Sequence, residues 1–287
     1  MGRFRYIDIH SHLNFVAFNS DREATAKRAL EAGVAFITVG TQRDTSQKAV
    51  VLAETHENGV FAIVGLHPVH TSASFHDEGE LGEGGKEFTS RGEVFEGVHY
   101  KDLVKHPKVV GVGECGLDYY RIENNESRIA QENAFRSQIE LAISVKKPLM
   151  LHLRNGSGRS AYHDAFSILN SYVGIRNSSV RGNLHFFAGS IEEARPFLDR
   201  GYTFSFTGVV TFAQDYEAIV KYLPLQSILS ETDAPYVSPV PYRGKRNEPL
   251  YVREVVKAIA RIRGEDEEKV RAQILKNAEQ LFGIELA

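Results

Sequence analysis

From end to end, short β-branched or aromatic runs alternate with stretches of helical period, and that alternation admits few folds. Strands that follow one another through helical crossovers lie parallel, so the pattern predicts a parallel sheet. The candidate strands span residues 6–10, 35–39, 60–65, 109–113, 148–153, 183–187, 202–206 and 227–231. Helix-like stretches cover 21–31, 45–58, 129–145 and 191–199, and two more, 250–262 and 265–281, follow the last strand. In one of them Ala134, Ile139, Leu141, Ala142 and Val145 form an apolar stripe at roughly helical spacing. Eight strands with intervening helices predict the α/β class and a (β/α)8 TIM barrel rather than an open sheet. Such barrels take about 250 residues, so the 287 residues are expected to form one domain, 1–287.

One segment breaks the rhythm. Residues 71–99 carry Gly79, Gly82, Gly84, Gly85, Gly92 and Gly97 among acidic and polar residues, and read as an inserted loop after the third strand. Connections this long are functional lids or disordered excursions. The insertion leaves the third strand at the same end of the barrel as the residues singled out below, yet supplies none of them.

The formal net charge of −3 argues against the broad basic footprint of a sequence-tolerant duplex binder. A nucleic-acid substrate would have to be held locally. Cys115 is the only cysteine and has no internal disulfide partner. The opening residues run into a strand without an apolar signal-peptide core, and no apolar run reaches the roughly 20 residues of a membrane span. A cytoplasmic protein without a membrane partner is expected, its oligomeric state open.

The chemistry gathers at strand ends. Side chains alternate along a strand, so His10 and His12 at the end of the first strand point to one side and can chelate one ion. Barrel enzymes build their sites at the C-terminal ends of the strands. There the chain also places Glu114 after the fourth strand, His152 on the fifth, His185 on the sixth and Asp233 after the eighth. Singly, each has a structural alternative: a hydrogen-bonded core histidine, or a salt-bridged loop acid. Together they make six nitrogen and oxygen ligands, too many for one catalytic ion that keeps positions open for water and substrate. They suit two ions sharing a bridging carboxylate. His67 stands at the end of the third strand as a candidate substrate contact.

The motifs His10-Ser11-His12-Leu13, Gly65-Leu66-His67-Pro68, Gly113-Glu114-Cys115-Gly116-Leu117-Asp118, His152-Leu153-Arg154, Leu184-His185-Phe186-Phe187-Ala188-Gly189 and Glu231-Thr232-Asp233-Ala234-Pro235-Tyr236 resemble, in this order, those of the TatD family. The resemblance continues through Pro239, Arg243-Gly244, Asn247-Glu248-Pro249, Asn277 and Leu281-Phe282, and covers nearly the whole chain outside the insertion. It implies a metallo-dependent hydrolase barrel of the amidohydrolase superfamily, a 3'-5' exodeoxyribonuclease acting at single-stranded DNA ends. It further implies that His10, His12 and Asp233 hold one divalent ion, that His152 and His185 hold a second, and that Glu114 bridges them. Asp233 would orient or deprotonate the attacking water, and His67 and Arg154 would face the phosphate. The ligand set accepts zinc, manganese, iron or cobalt, and magnesium with water filling the shell. Arg243, Lys245 and Arg246 are further candidate pocket bases.

The chain departs from the family pattern at Asn14, where an acid is frequent, and at Phe186 and Ala188, where small polar residues are usual. None is a predicted ligand, so altered bonding behind the ligands is expected rather than lost metal. Three other readings compete. A D-aminoacyl-tRNA deacylase would use the same ligands on an ester. A lactonase-like amidohydrolase would bridge its metals with a modified lysine on the fourth strand, where this chain has Glu114. A non-catalytic binding barrel would not need the full ligand set.

Overall fold

The computed structural model describes residues 4–76, 88–120, 122, 124–173 and 180–286. In chain order the strands are β1 (Tyr6–Ser11), β2 (Val34–Val39), β3 (Val60–Val64), β4 (Ser74–His76), β5 (Phe88–Ser90), β6 (Val109–Asp118), β7 (Leu149–Arg154), β8 (Gly182–His185), β9 (Thr203–Phe206) and β10 (Ile228–Ser230). Every residue of β1, β2, β6, β8, β9 and β10 is buried. This is the condition of strands covered on both faces, and the reason they read as near-continuous apolar runs in the sequence.

The eight expected strands form one sheet in the order β1-β2-β3-β6-β7-β8-β9-β10, with each neighbouring pair parallel. β6 runs further than its sequence pattern indicates, because Cys115 to Asp118 pair with β7: Gly116 lies opposite His152 and Asp118 opposite Arg154. A ladder of that kind is set by the neighbouring strand and has no local signature.

Backbone bonds, backed by one buried side chain, complete the closure between β10 and β1. Asp233 N–H donates to His10 O at 2.8 Å and His12 N–H to Ala234 O at 2.7 Å, around a parallel bridge between Ser11 and Ala234. Beneath them the buried Asp8 carboxylate accepts from Thr232 N–H at 2.8 Å, from the Thr232 hydroxyl at 2.5 Å and from His10 N–H at 3.2 Å. The seam that makes the sheet a nearly closed barrel is thus also what positions His10, His12 and Asp233.

Helices at Arg22–Glu31, Arg43–Glu54, Asn125–Val145, Ile191–Leu198, Val252–Arg263 and Glu267–Phe282 answer the expected helical stretches. Those at Gly97–Val104, Ala161–Asn170 and Glu217–Tyr222 lie outside them. In Val252–Arg263 the buried Val252, Val255, Val256, Ile259 and Ile262 recur three and four residues apart, and Gly264 ends the helix at a φ of 66°. Among the described residues no helix is long and apolar enough to cross a membrane.

Within the 71–99 segment β4 and β5 pair antiparallel as a short ribbon, where a plain loop was expected. Residues 77–87 lie outside the described residues, and with them the glycines at 79, 82, 84 and 85. The return limb is tied to the barrel: Glu93 N–H donates to His70 O, the Gln42 amide to Arg91 O, and the Tyr100 hydroxyl to Glu93 Oε1 at 2.7 Å.

Replacing Asp8 by alanine leaves the Thr232 and His10 amides without their buried acceptor. Each orphaned group costs about 1–3 kcal/mol, so Asp8→Ala is expected to lower unfolding stability by about 2–5 kcal/mol in urea titrations, and Asp8→Asn, which keeps one acceptor oxygen, by less. An Asp8→Ala midpoint equal to that of the wild type would remove the carboxylate from the seam.

Candidate metal centre

Glu114 is 2 % exposed and lies among five imidazoles. Its two oxygens are divided between them. Oε2 faces His10 Nε2 at 3.3 Å and His12 Nε2 at 3.8 Å, while Oε1 faces His152 Nδ1 at 2.8 Å, His67 Nε2 at 3.3 Å and His185 Nε2 at 3.4 Å. Asp233 Oδ1 completes the first side, 3.4 Å from His12 Nε2 and 3.8 Å from His10 Nε2. All six predicted ligands and His67 therefore meet at one place, the C-terminal mouth of the barrel.

Asp233 reaches the cluster because its backbone turns into the left-handed region, at a φ of 55°. Aspartate tolerates that conformation better than most residues. Phe186 makes a similar turn at 44°, and its N–H donates to Glu231 Oε1 at 2.6 Å.

The nitrogens turned away from the cluster are held as well. His12 Nδ1 lies 3.0 Å from Val39 O, and His152 Nε2 lies 3.0 Å from Asp118 Oδ2. His185 Nδ1 is 3.0 Å from Glu231 Oε1, at ion-pair distance but off the line of a strong hydrogen bond. Glu231 is itself fixed by the Ser205 hydroxyl at 2.7 Å. A fixed acceptor behind an imidazole sets its tautomer and leaves the opposite lone pair for an ion. His10 differs: its Nδ1 has no hydrogen-bond partner among the described residues, and its ring stacks on His185 with centroids 3.6 Å apart. His67 differs in the other sense. Its Nδ1 accepts from Val69 N–H at 3.1 Å, so its proton sits on Nε2 and faces the cluster as a donor.

Asp118 and Glu231 stand within the quoted motifs, but sequence reasoning gave them no role. Each lies an even number of residues along the chain from a predicted ligand, Glu114 or Asp233. That same-face spacing was the available signal. The departure at Asn14 has a physical reason: its amide donates to Val39 O at 3.2 Å and to Thr45 O at 2.9 Å, so it braces the carbonyl that holds His12. A carboxylate has no proton to do this. Arg154 lies at the exposed rim with its guanidinium 3.7 Å from the centroid of the Tyr120 ring. Of the other candidate bases, Arg246 is committed to Asp21 Oδ2 and Ala17 O, and Arg243 donates to Ser238 O at 3.0 Å over the Phe212 ring.

The spacings fit metal coordination. Nitrogen ligands about 2.0–2.1 Å from one ion stand about 3.3 Å apart in a tetrahedron and about 2.9 Å apart as octahedral neighbours. The Nε2 atoms of His10 and His12 are 3.2 Å apart. Three sets, His10 with His12 and Glu114, His10 with His185 and Asp233, and His67 with Glu114 and His152, each bring ligand atoms within 4.8 Å of one another.

Charge within the cluster follows from burial and pairing. Burial opposes the Glu114 charge, yet His67, His10 and His185 hold its carboxyl well below the usual range. For His152 burial favours the neutral ring, but Asp118 and Glu114 outweigh it and push its pKa up to about 9. His185, against the same burial, is pushed up to about 10 by Glu231 and Glu114. Burial and the neighbouring His152 bring His67 down to about 4.

The family model of TatD-related DNases matches residues 7–283. An uncharacterized metal-dependent hydrolase, YabD, from Bacillus subtilis is 34 % identical over 280 residues, which cover 96 % of this chain and 98 % of the relative. The 3'-5' ssDNA/RNA exonuclease TatD of Pantoea ananatis is 33 % identical over 285 residues, covering 96 % and 99 %. The crystal structure of YjjV, a TatD homologue from Escherichia coli, superposes with a TM-score of 0.79 at 27 % identity, covering 98 % of both chains. An organophosphorus hydrolase at 13 % identity and a TM-score of 0.58, covering 97 % of this chain and 92 % of that one, shares the barrel fold.

Metal must displace the protons that His152 and His185 carry near neutral pH. Metal binding is therefore expected to release protons and to tighten as pH rises toward 9. The metal-free protein has the opposite slope. Folded pKa values raised above the unfolded value of about 6.5 give stability that is full below that pH and is lost as pH rises through about 9 and 10. Calorimetric titration in buffers of different ionisation enthalpy, with melting curves of the chelated protein, checks both. A pH-independent affinity without proton release would contradict the charge assignment.

Proposed function

The chain belongs to the family of TatD-related DNases, and from that premise we propose that this metal-dependent hydrolase of ester bonds removes nucleotides from the 3' end of single-stranded DNA with two divalent ions. The division of Glu114 carries the reading. One oxygen faces His10 and His12, and the other faces His152 and His185, as a carboxylate bridging two cations would require. His10, His12 and Asp233 would hold the first ion, and His152 and His185 the second. The imidazole and carboxylate donors accept zinc, manganese, iron or cobalt, and magnesium with water in its shell. The whole chain is read as one barrel with an insertion at 71–99 beside the mouth.

Bound there, the ions would supply an acidified water and positive charge against the phosphoryl oxygens. The protein's own groups do the rest. Burial raises and the facing His12, His185 and His10 lower the Asp233 carboxyl, with a net shift downward, so that it is ionised and able to take the proton of the attacking water. His67, neutral and with its proton on Nε2, donates to a non-bridging phosphate oxygen. Asp118 and Glu231 keep His152 and His185 in the tautomers whose free lone pair would face the second ion. Arg154 at the rim meets the strand as it enters. The printed activity of the Pantoea ananatis relative, a 3'-5' exonuclease of single-stranded DNA and RNA, supports the direction and the strandedness.

With 5'-labelled single strands, the wild type is expected to give a ladder shortened from the 3' end and to spare a closed circle of the same sequence. Glu114→Gln should lose activity by several orders of magnitude together with metal content, since a neutral amide is a poor bridge between cations. Rapid cutting of the circle would count against end-directed action. Near-normal turnover of the variant with both ions retained would take Glu114 out of the site.

A further inference from the structure

Beyond the metal cluster, β6 and β7 carry a second arrangement to the rim. Their parallel register sets Gly116 opposite His152 and Asp118 opposite Arg154. The Asp118 carboxylate takes His152 Nε2 at 3.0 Å, and Arg154 lies two residues beyond that histidine on the same side of its strand. Two residues beyond Asp118 lies Tyr120, and the Arg154 guanidinium is centred 3.7 Å from the middle of its ring. A step of two residues is about 6–7 Å along a strand, comparable with the distance from a nucleotide's phosphate to its base.

The consecutive tyrosines behave differently. Tyr119 is 5 % exposed, and its hydroxyl donates to Asp164 Oδ2 at 2.9 Å, where Arg159 Nε also donates at 2.7 Å. It belongs to the wall. Tyr120 is 55 % exposed even with a guanidinium over its ring. A half-open aromatic ring pinned by an arginine, beside a phosphodiester site, matches the way proteins hold unpaired bases: stacking on aromatic faces and guanidinium planes, tolerant of sequence. With a net charge of −3, stacking also supplies affinity that a broad basic surface does not.

We propose that Tyr120, steadied by Arg154, is the stacking platform for the base of the 3'-terminal nucleotide, and that the enzyme thereby selects an unpaired base-bearing end. This rests on the exonuclease reading and adds to it a base contact outside the ligand set. A terminal base paired in a duplex is held by the complementary strand and does not swing out onto the platform. A backbone without a base gains nothing from it.

The chain contains no tryptophan, so Tyr120→Trp introduces a single indole at the platform, which is excited at wavelengths the tyrosines do not absorb. The metal-loaded variant is titrated with single-stranded oligothymidylate carrying a phosphorothioate at its last linkage, and with the same strand ending in an abasic residue. Its emission is expected to fall with the first and not with the second. In parallel, kcat/KM is measured for wild type, Tyr120→Ala and Tyr120→Phe on unmodified strands with base-bearing or abasic 3' ends. Tyr120→Ala should lose about tenfold on the base-bearing end and nothing on the abasic end, with Tyr120→Phe close to wild type. Equal losses on both ends, or no loss with no quenching while both strands are degraded, overturns the platform and leaves the exonuclease reading standing. Quenching that depends on the terminal base without cutting of either strand supports the platform and overturns the exonuclease reading instead.

Discussion

An ionised carboxylate buried in a barrel mouth is costly unless positive charge and donors surround it on all sides. Glu114 is that group here, and much of the site can be understood as its compensation. Five imidazoles from the ends of β1, β7 and β8 and from the loop after β3 converge on its two oxygens. Each ring in turn requires something behind it: Val39 O for His12, Asp118 for His152, Glu231 for His185, the Val69 amide for His67. The seam bonds around Asp8 matter because they set the strand ends that carry His10, His12 and Asp233 in register with Glu114. Protons and divalent ions compete for the same lone pairs, and the cluster without metal holds itself together as ion pairs.

The strands were legible because parallel strands covered on both faces are apolar throughout, and the meeting of the candidate ligands at one mouth because alternation puts His10 and His12 on one side and a barrel gathers its strand ends. What was not legible depended on neighbours distant in sequence. The extension of β6 to Asp118 exists through pairing with β7, and the role of Asp118 exists only because His152 lies across that ladder. Glu231 acquires its role from His185 and Ser205, 46 and 26 residues away in the chain. Glu217–Tyr222 is six residues long and shows too little of a helical period to be recognised alone. The tautomer of His67 is set by a backbone amide, which a sequence does not display.

Some of the exposed apolar side chains lie on the face around the cluster. Val16, Tyr120, Phe212 and Val240 are exposed and lie on connections that follow β1, β6, β9 and β10, at the functional end of the barrel. Arg154 and Arg243 cover two of these aromatic rings. On the proposed function, an overall acidic chain would meet a polyanionic substrate through bound ions and a few rim arginines.

The bridging role of Glu114 is the centre of this account, and anomalous diffraction from crystals loaded with manganese tests it most directly. Two peaks are predicted, about 3.5–4 Å apart, one beside His10, His12 and Asp233, the other beside His152 and His185, with one Glu114 oxygen on each. A single peak bound by both Glu114 oxygens, or two peaks that leave Glu114 uncoordinated, would contradict it.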